Sequence, residues 1–361
     1  RAERDQPPFD RVMMDGIAFA MRGNHALRRF LRAGLQLAGM PRQSLGDAAG
    51  CIEVTTGAML PHGCDTVIPV EQTRREGEEF VLLDGYRPIV GQFVHAQGSD
   101  CRVNATLLQP GIRLDAPAIA VLAANGVAGV EVARVPSIAI VATGDELAEV
   151  DQPLLDGQIR RSNDRALAAA LRARGYDDVL LTRVGDDLAA TIATLEKLLR
   201  TKQVLVLSGG VSVGQRDYVP EALHALGVQQ VLHRIAQRPG KPMWFGIGPQ
   251  GQIVFGLPGN PVSALVCAVR YLLPAMQQAS GQLLEPPMYA CLTDDVPINP
   301  VLTCFIPVRV QHDASGRNLA QPLQLNTSGD FSALPHTHGF VQLSPGSQIA
   351  AAGTVAVLYR W

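Results

Sequence analysis

The chain has 361 residues, 47% of them hydrophobic and 18% charged, with a formal net charge of −2 at pH 7. A chain of this length outgrows one ordinary core and predicts roughly two to four domains. The near-neutral balance argues against nucleic acid or an anionic membrane as main partner, since the whole-protein field attracts neither, and no apolar run is long enough to span a bilayer.

From residue 1 to about 133, short apolar pieces are split by Gly and Pro, as in CIEVTTGAMLPHGCDTVIPVEQT. This pattern predicts short strands and turns. LDAPAIAVLAANG, residues 114–126, is the exception and predicts a helix. Asp115 suits its cap, Pro117 its first turn and Gly126 its end.

From about 134 to 281 the pattern alternates. SIAIVA (137–142) predicts a strand that ends in Thr143-Gly144-Asp145-Glu146. SNDRALAAALRARGY (162–176) predicts a helix with Ser162 or Asn163 as cap. DVLLTRV (178–184) is the next strand, and DDLAATIATLEKLLR (186–200) an amphipathic helix with acids at its positive end. VLVL (204–207) is a buried strand that breaks into Ser208-Gly209-Gly210, with Asp217 a few residues on. A helix near 218–226, a strand IVFGL from Ile253 and a buried helix over 262–278 complete the run. Alternating strands and helices predict a doubly wound parallel sheet covered on both faces. From about 284 the β pattern returns, and CFIPVRV and TVAVLYRW suggest a small barrel or sandwich.

Three strand-end turns stand out, because parallel strands bring their carboxyl ends to one edge. The TGDEL turn offers Asp145 and Glu146, either as caps or as cation ligands. The SGGVSVGQRDY turn offers bare amides at Gly209 and Gly210, with Asp217 as a further oxygen ligand. In GLPGNPVSA, Asn260 suits a cap and Pro261 the first helical position, so free amides point above the sheet. Carboxylates beside bare amides make sense where Mg2+ sits between acids and a phosphate. RPGKP adds Arg238 and Lys241, with Arg234 four residues before Arg238. The six cysteines form no CxxC pair and read as reduced thiols of a cytoplasmic protein.

Taken in order, PPFDRVMMDG, TTGAMLPHG, GQFVHAQGSD, ATGDEL, SGGVSVGQRDY, RPGKP and GLPGNPVSA resemble one family over nearly the whole chain. It is the molybdopterin molybdenumtransferases, the MoeA proteins of bacteria, also represented by the gephyrin E domain. The chain opens on Arg1, and the family's helical piece before PPFD has no match, so a leading segment is expected to precede it.

The resemblance implies a small α/β domain from residues 1–9 and 96–133 and a β-rich inserted domain over 10–95. It further implies a molybdopterin-binding α/β domain over 134–283 and a C-terminal β domain over 284–361. It implies a homodimer with its active site in a cleft between subunits. The implied reaction takes molybdate and adenylylated molybdopterin as substrates, inserts molybdenum at the dithiolene and releases AMP with Mg2+ present. A molybdopterin adenylyltransferase and molybdoenzyme-specific chaperones are the implied partners. A non-catalytic molybdopterin carrier, or an adenylyltransferase acting one step earlier, are the alternatives.

Carried over by position, Asp15, Thr56, Asp100, Glu146, Asp217 and Lys241 are the expected catalytic residues. Asp145, Glu146 and Asp217 would hold the metal. Ser208, Gly209, Gly210, Ser212, Arg234, Arg238, Pro258, Gly259, Asn260, Pro261 and Ser328 would bind substrate. Either Asp186 or Asp187 matches a further family acid. Arg234 and Arg238 stand where many members have lysine, which exchanges a point charge for a planar fork. Phe305 is followed by Ile306 and Pro307 where many members have Phe-x-Arg, leaving Arg309 as a substitute, and Asp330 adds an acid that would repel molybdate.

Overall fold

A computed structural model describes the chain except residues 23–25, 212–216 and 324–326. It forms two compact units, Arg1–Glu131 and Val132–Trp361.

In the first unit, Thr66–Pro69, Gly16–Phe19, Gly50–Val54, Arg29–Gln36, Glu79–Leu82 and Thr73–Glu76 lie side by side in that order as a six-stranded sheet. Ile17, Phe19, Phe30 and Ile68 fill one core against it, and Val12, Ile52, Val54 and Val67 a second. The helix runs over Ala116–Ala124, where the Asp115 side chain accepts from the Ala118 N–H. Gly126 ends it with φ +71, a conformation open to glycine. The first residues are tied to the 98–125 stretch: Ala2 N–H donates to Ala105 O, Val103 N–H to Asp5 and Glu3 N–H to the Asn125 side chain.

The second unit centres on a six-stranded sheet in the order Val179–Val184, Ile138–Thr143, Val204–Ser208, Ile253–Leu257, Trp244–Ile247, Gln229–His233. The first four strands are parallel. Every residue of Ile138–Thr143 and of Val204–Ser208 is buried, which explains runs such as IAIVA without alternation. The helices Asn163–Arg172 and Pro261–Cys267 pack on one face. Leu188–Thr201 and Val219–Ala225 pack on the other. The sequence pattern predicts a parallel sheet, and the structure extends it by two antiparallel strands. They flank the RPGKP loop, whose Pro and Gly hide the pairing of its neighbours.

After the sheet, the chain builds a closed barrel. Thr303–His312, Asn318–Pro322, Met288–Leu292, Val355–Arg360 and Gly339–Leu343 pair in sequence around it, and the last pairs back onto the first. The barrel, rather than the sandwich, is formed. The two-residue strand Gln237–Arg238 runs parallel to its rim at Thr303–Cys304.

Candidate active site

In the first unit, strand register brings Asp15 to Thr56. Gly16 lies opposite Val54 in the antiparallel pair, so the residues just beyond meet at the same end. Asp15 Oδ1 accepts from the Thr56 N–H at 2.6 Å and from its hydroxyl at 2.7 Å. These bonds, the backbone one foremost, hold the carboxyl below its ordinary range. Gly16 is required by crowding, since a Cβ there would fall 1.9 Å from Ile68 O. Asp100 has a partner that the sequence did not point to. His95 Nε2 lies 2.8 Å from Asp100 Oδ1, and Arg11 Nη2 lies 2.9 Å from His95 Nδ1. Guanidinium only donates, so Nδ1 must accept and Nε2–H must donate to Asp100.

In the second unit, the carboxyl ends of the parallel strands open into a cavity of about 1850 Å³. Its lining includes Glu146, Asp186 and Asp217, the turn Ser208-Gly209-Gly210 and the turn Pro258-Gly259-Asn260-Pro261. The three turns singled out in the sequence therefore share one site. Glycine is obligatory at the second of them. Gly209 and Gly210 have φ +97 and +66, and a Cβ on Gly209 would lie 2.7 Å from Thr143 Oγ1. Gly144 leaves room for the Glu146 carboxylate, because a Cβ there would fall 2.2 Å from Glu146 Oε2.

Adjacent acids divide their tasks. Asp187 caps the Leu188–Thr201 helix by accepting from the Ala190 N–H at 2.7 Å, while Asp186 faces the cavity. Asp145 accepts from the Asp186 N–H at 3.1 Å and lies against Gly185, which positions that loop. Asn260 occupies the cap position without capping through its side chain. It donates to Ser328 Oγ at 2.7 Å instead, and Gly329 and Phe331 beside Ser328 reach the cavity wall. Asp330 Oδ1 accepts from the Ser332 hydroxyl.

The cations are arranged differently from expectation. Arg234, Arg238 and Lys241 are exposed on their loop, and the loop's contribution to the lining is Pro242. Arg160, Arg161 and Arg165 line the cavity instead. Arg161 is buried and bonds Asp164 through Nε at 2.9 Å and Glu149 through Nη1 at 2.6 Å. Burial opposes its charge, but Asp164 and Glu149 outweigh that and hold it above its ordinary value. Phe305 packs edge-on against Phe340 in the core, and Arg309 lies along the barrel against His336 O. Ser212 falls outside the described residues. Among the described residues no three His, Cys, Asp or Glu cluster as a ready-made metal cage. Mg2+ keeps few protein ligands and completes its shell with water and substrate phosphates, so carboxylates lining an open cavity still suit it.

Residues 1–126 match the family model described as the MoeA N-terminal region (domain I and II), and residues 139–278 match a probable molybdopterin binding domain. A Synechocystis molybdopterin molybdenumtransferase is 40% identical over 362 aligned residues, covering 100% of this chain and 90% of that protein. The Bacillus subtilis molybdopterin molybdenumtransferase is 31% identical, covering 99% and 85%. The chain belongs to the molybdopterin molybdenumtransferase family. A crystal structure titled as a molybdopterin biosynthesis MoeA protein of Pyrococcus horikoshii superposes with a TM-score of 0.79 at 29% identity, covering 99% of this chain and 89% of that one. Within the frame of the molybdenumtransferases, the GQIRRSNDRAL segment is what motif reading passed over. Its signal is three arginines at the positive end of a helix, where cations are locally unfavourable and so call for another reason.

Proposed function

We propose that the chain catalyses molybdenum insertion in molybdenum cofactor biosynthesis, taking molybdate and adenylylated molybdopterin and releasing AMP. The observation that carries this reading is the single cavity shared by Glu146, Asp186, Asp217 and the two glycine-bearing turns at Ser208-Gly209-Gly210 and Pro258-Gly259-Asn260-Pro261. Its volume of about 1850 Å³ exceeds that of an ordinary small-ligand pocket and leaves room for a substrate larger than a mononucleotide. Carboxylates around an anionic ligand would repel it unless a cation lies between them, which favours Mg2+-dependent chemistry over a passive carrier.

Glu146 and Asp217 would hold Mg2+, with Asp186 beside them and Asp145 fixing the Asp186 loop. When bound, the ion supplies charge neutralisation at the phosphoanhydride. The Gly209 N–H, expected to be bare, donates to Leu257 O at 3.1 Å, so the amides of Gly210 and of the turn at Gly259 would cradle the phosphate, with Ser208 and Asn260 orienting it. Arg160 and Arg165 meet negative charge inside the cavity. Arg234, Arg238 and Lys241 would meet the outer end of the substrate from the loop beside Pro242. Asp15, Thr56 and Asp100 act in the same reaction from the first unit, and we assign the homodimer, the adenylyltransferase partner and the cytoplasm as its setting. No helix among the described residues is long and apolar enough to cross a membrane.

AMP release from adenylylated molybdopterin, with molybdate and Mg2+ supplied, tests this. The combined Glu146→Ala and Asp217→Ala variant should lose the activity while staying folded. Full activity in that variant defeats the assignment.

A further inference from the structure

Asn163 opens the Asn163–Arg172 helix, one residue past the cap position, and its side chain reaches across the cavity floor. The amide has two hydrogens, and both are spent on the two turns. Nδ2 donates to Ser208 Oγ at 2.9 Å and to the Gly259 carbonyl at 2.7 Å. These acceptors lie at the ends of adjacent parallel strands, where Ser208 pairs with Leu257. The turns approach closely there, since a Cβ on Gly259 would come 3.7 Å from Gly209 Cα.

We propose that Asn163 is a positioning residue that sets the spacing of the two turns and the orientation of the Ser208 hydroxyl. Ser208 Oγ accepts from Asn163, so its own hydrogen is left to donate into the cavity that Ser208 lines. A carboxylate of the same shape would do the reverse. It would take the Ser208 hydrogen and face the Gly259 carbonyl, acceptor to acceptor. The place of Asn163 is itself fixed from both sides. Arg161 before it and Asp164 after it are buried and bonded to each other, and Arg161 also reaches Glu149 and the Thr182 carbonyl.

This rests on the reading that the two turns hold the phosphate end of the substrate, and the experiment separates the two claims. Steady-state AMP release is measured on the full chain carrying Asn163→Ala or Asn163→Asp. Two lost hydrogen bonds predict a KM for adenylylated molybdopterin raised about tenfold in Asn163→Ala, with kcat little changed. Asn163→Asp should raise it about a hundredfold, although it fills the same volume. A purely structural role would lower the melting temperature and the active fraction but leave KM alone. A KM within twofold of the unmodified chain in both variants overturns the proposal. Hydrogen exchange on the ligand-free chain gives a readout independent of the substrate. Asn163→Ala should speed exchange at the amides of Gly209 and Ala264, which donate to Leu257 O and Asn260 O at the two turns, and unchanged exchange there overturns the positioning role even if the chain turns over another substrate. If Asn163→Asp does not fold, KM and exchange in Asn163→Ala decide alone.

Discussion

Asp15 in the first unit and Asp164 in the second are both acids gripped by short hydrogen bonds, yet their settings are opposite. Asp15 is open to solvent and held by one neighbour, Thr56. Asp164 is 0% exposed and is bonded by a guanidinium that is itself nearly buried. The comparison separates two ways of fixing a carboxylate. A local turn fixes it cheaply and leaves it available for chemistry. A buried ion pair fixes the surrounding backbone and makes the acid unavailable, which suits a support beneath the site.

The largest expected effect comes from breaking the buried pair. Arg161→Ala leaves Asp164 uncompensated and should destabilise the second unit by about 3–5 kcal/mol. Both tryptophans, Trp244 and Trp361, lie in that unit, so their fluorescence in a urea titration reads its unfolding. A loss below about 1 kcal/mol would place Arg161 with ordinary surface ion pairs and erase the contrast with Asp15. Next in size is Gly209→Ala, which forces a side chain into left-handed backbone against Thr143. It should cost about 1–3 kcal/mol by the same measurement and abolish AMP release, because the turn that lines the cavity can no longer keep its shape.

The smallest effect is at Asp15. Thr56→Val removes the hydroxyl bond but keeps the stronger backbone one, so the Asp15 pKa should rise part of the way to its ordinary value. Its folded pKa lies below the unfolded one. The bond's contribution to stability is therefore present above the ordinary carboxylate pKa and is lost as pH falls through the lowered folded value. In Thr56→Val that loss should be smaller and complete at higher pH, and the raised folded pKa is read by carbon-13 NMR titration of the carboxyl. An unchanged titration would mean that the hydroxyl bond does nothing for the acid. Cys267 offers a further check on burial. Burial pushes its thiol up to about 12, so in the folded chain it should resist thiol reagents at neutral pH and react on unfolding.

Much of this was legible from residues alone, for physical reasons. Continuous apolar runs such as VLVL must be buried on both sides, and a Gly-Gly break after one marks where a backbone needs freedom from Cβ. That logic located the sheet, the three turns and the acids Glu146 and Asp217. It could not divide Asp186 from Asp187, because both suit a cap and the choice lies in how the loop leaves the preceding strand. Asn163 and Asn260 read as caps for the same reason, since a short amide beside a helix start is usually spent on that helix. Here both reach elsewhere, to Ser208 and Gly259 and to Ser328, across separations that no local pattern encodes. Arg234, Arg238 and Lys241 stand out by charge and rigid neighbours, but the side on which such a loop lies depends on the two antiparallel strands it joins.

The strand Gln237–Arg238 belongs by sequence to the loop between those two strands, yet its ladder partner is the barrel rim at Thr303–Cys304. The terminal barrel is thus no detachable appendix. Grafting another module in its place would strip that short strand of its neighbour and set Arg238 adrift, so the two parts must be inherited, and engineered, as a pair.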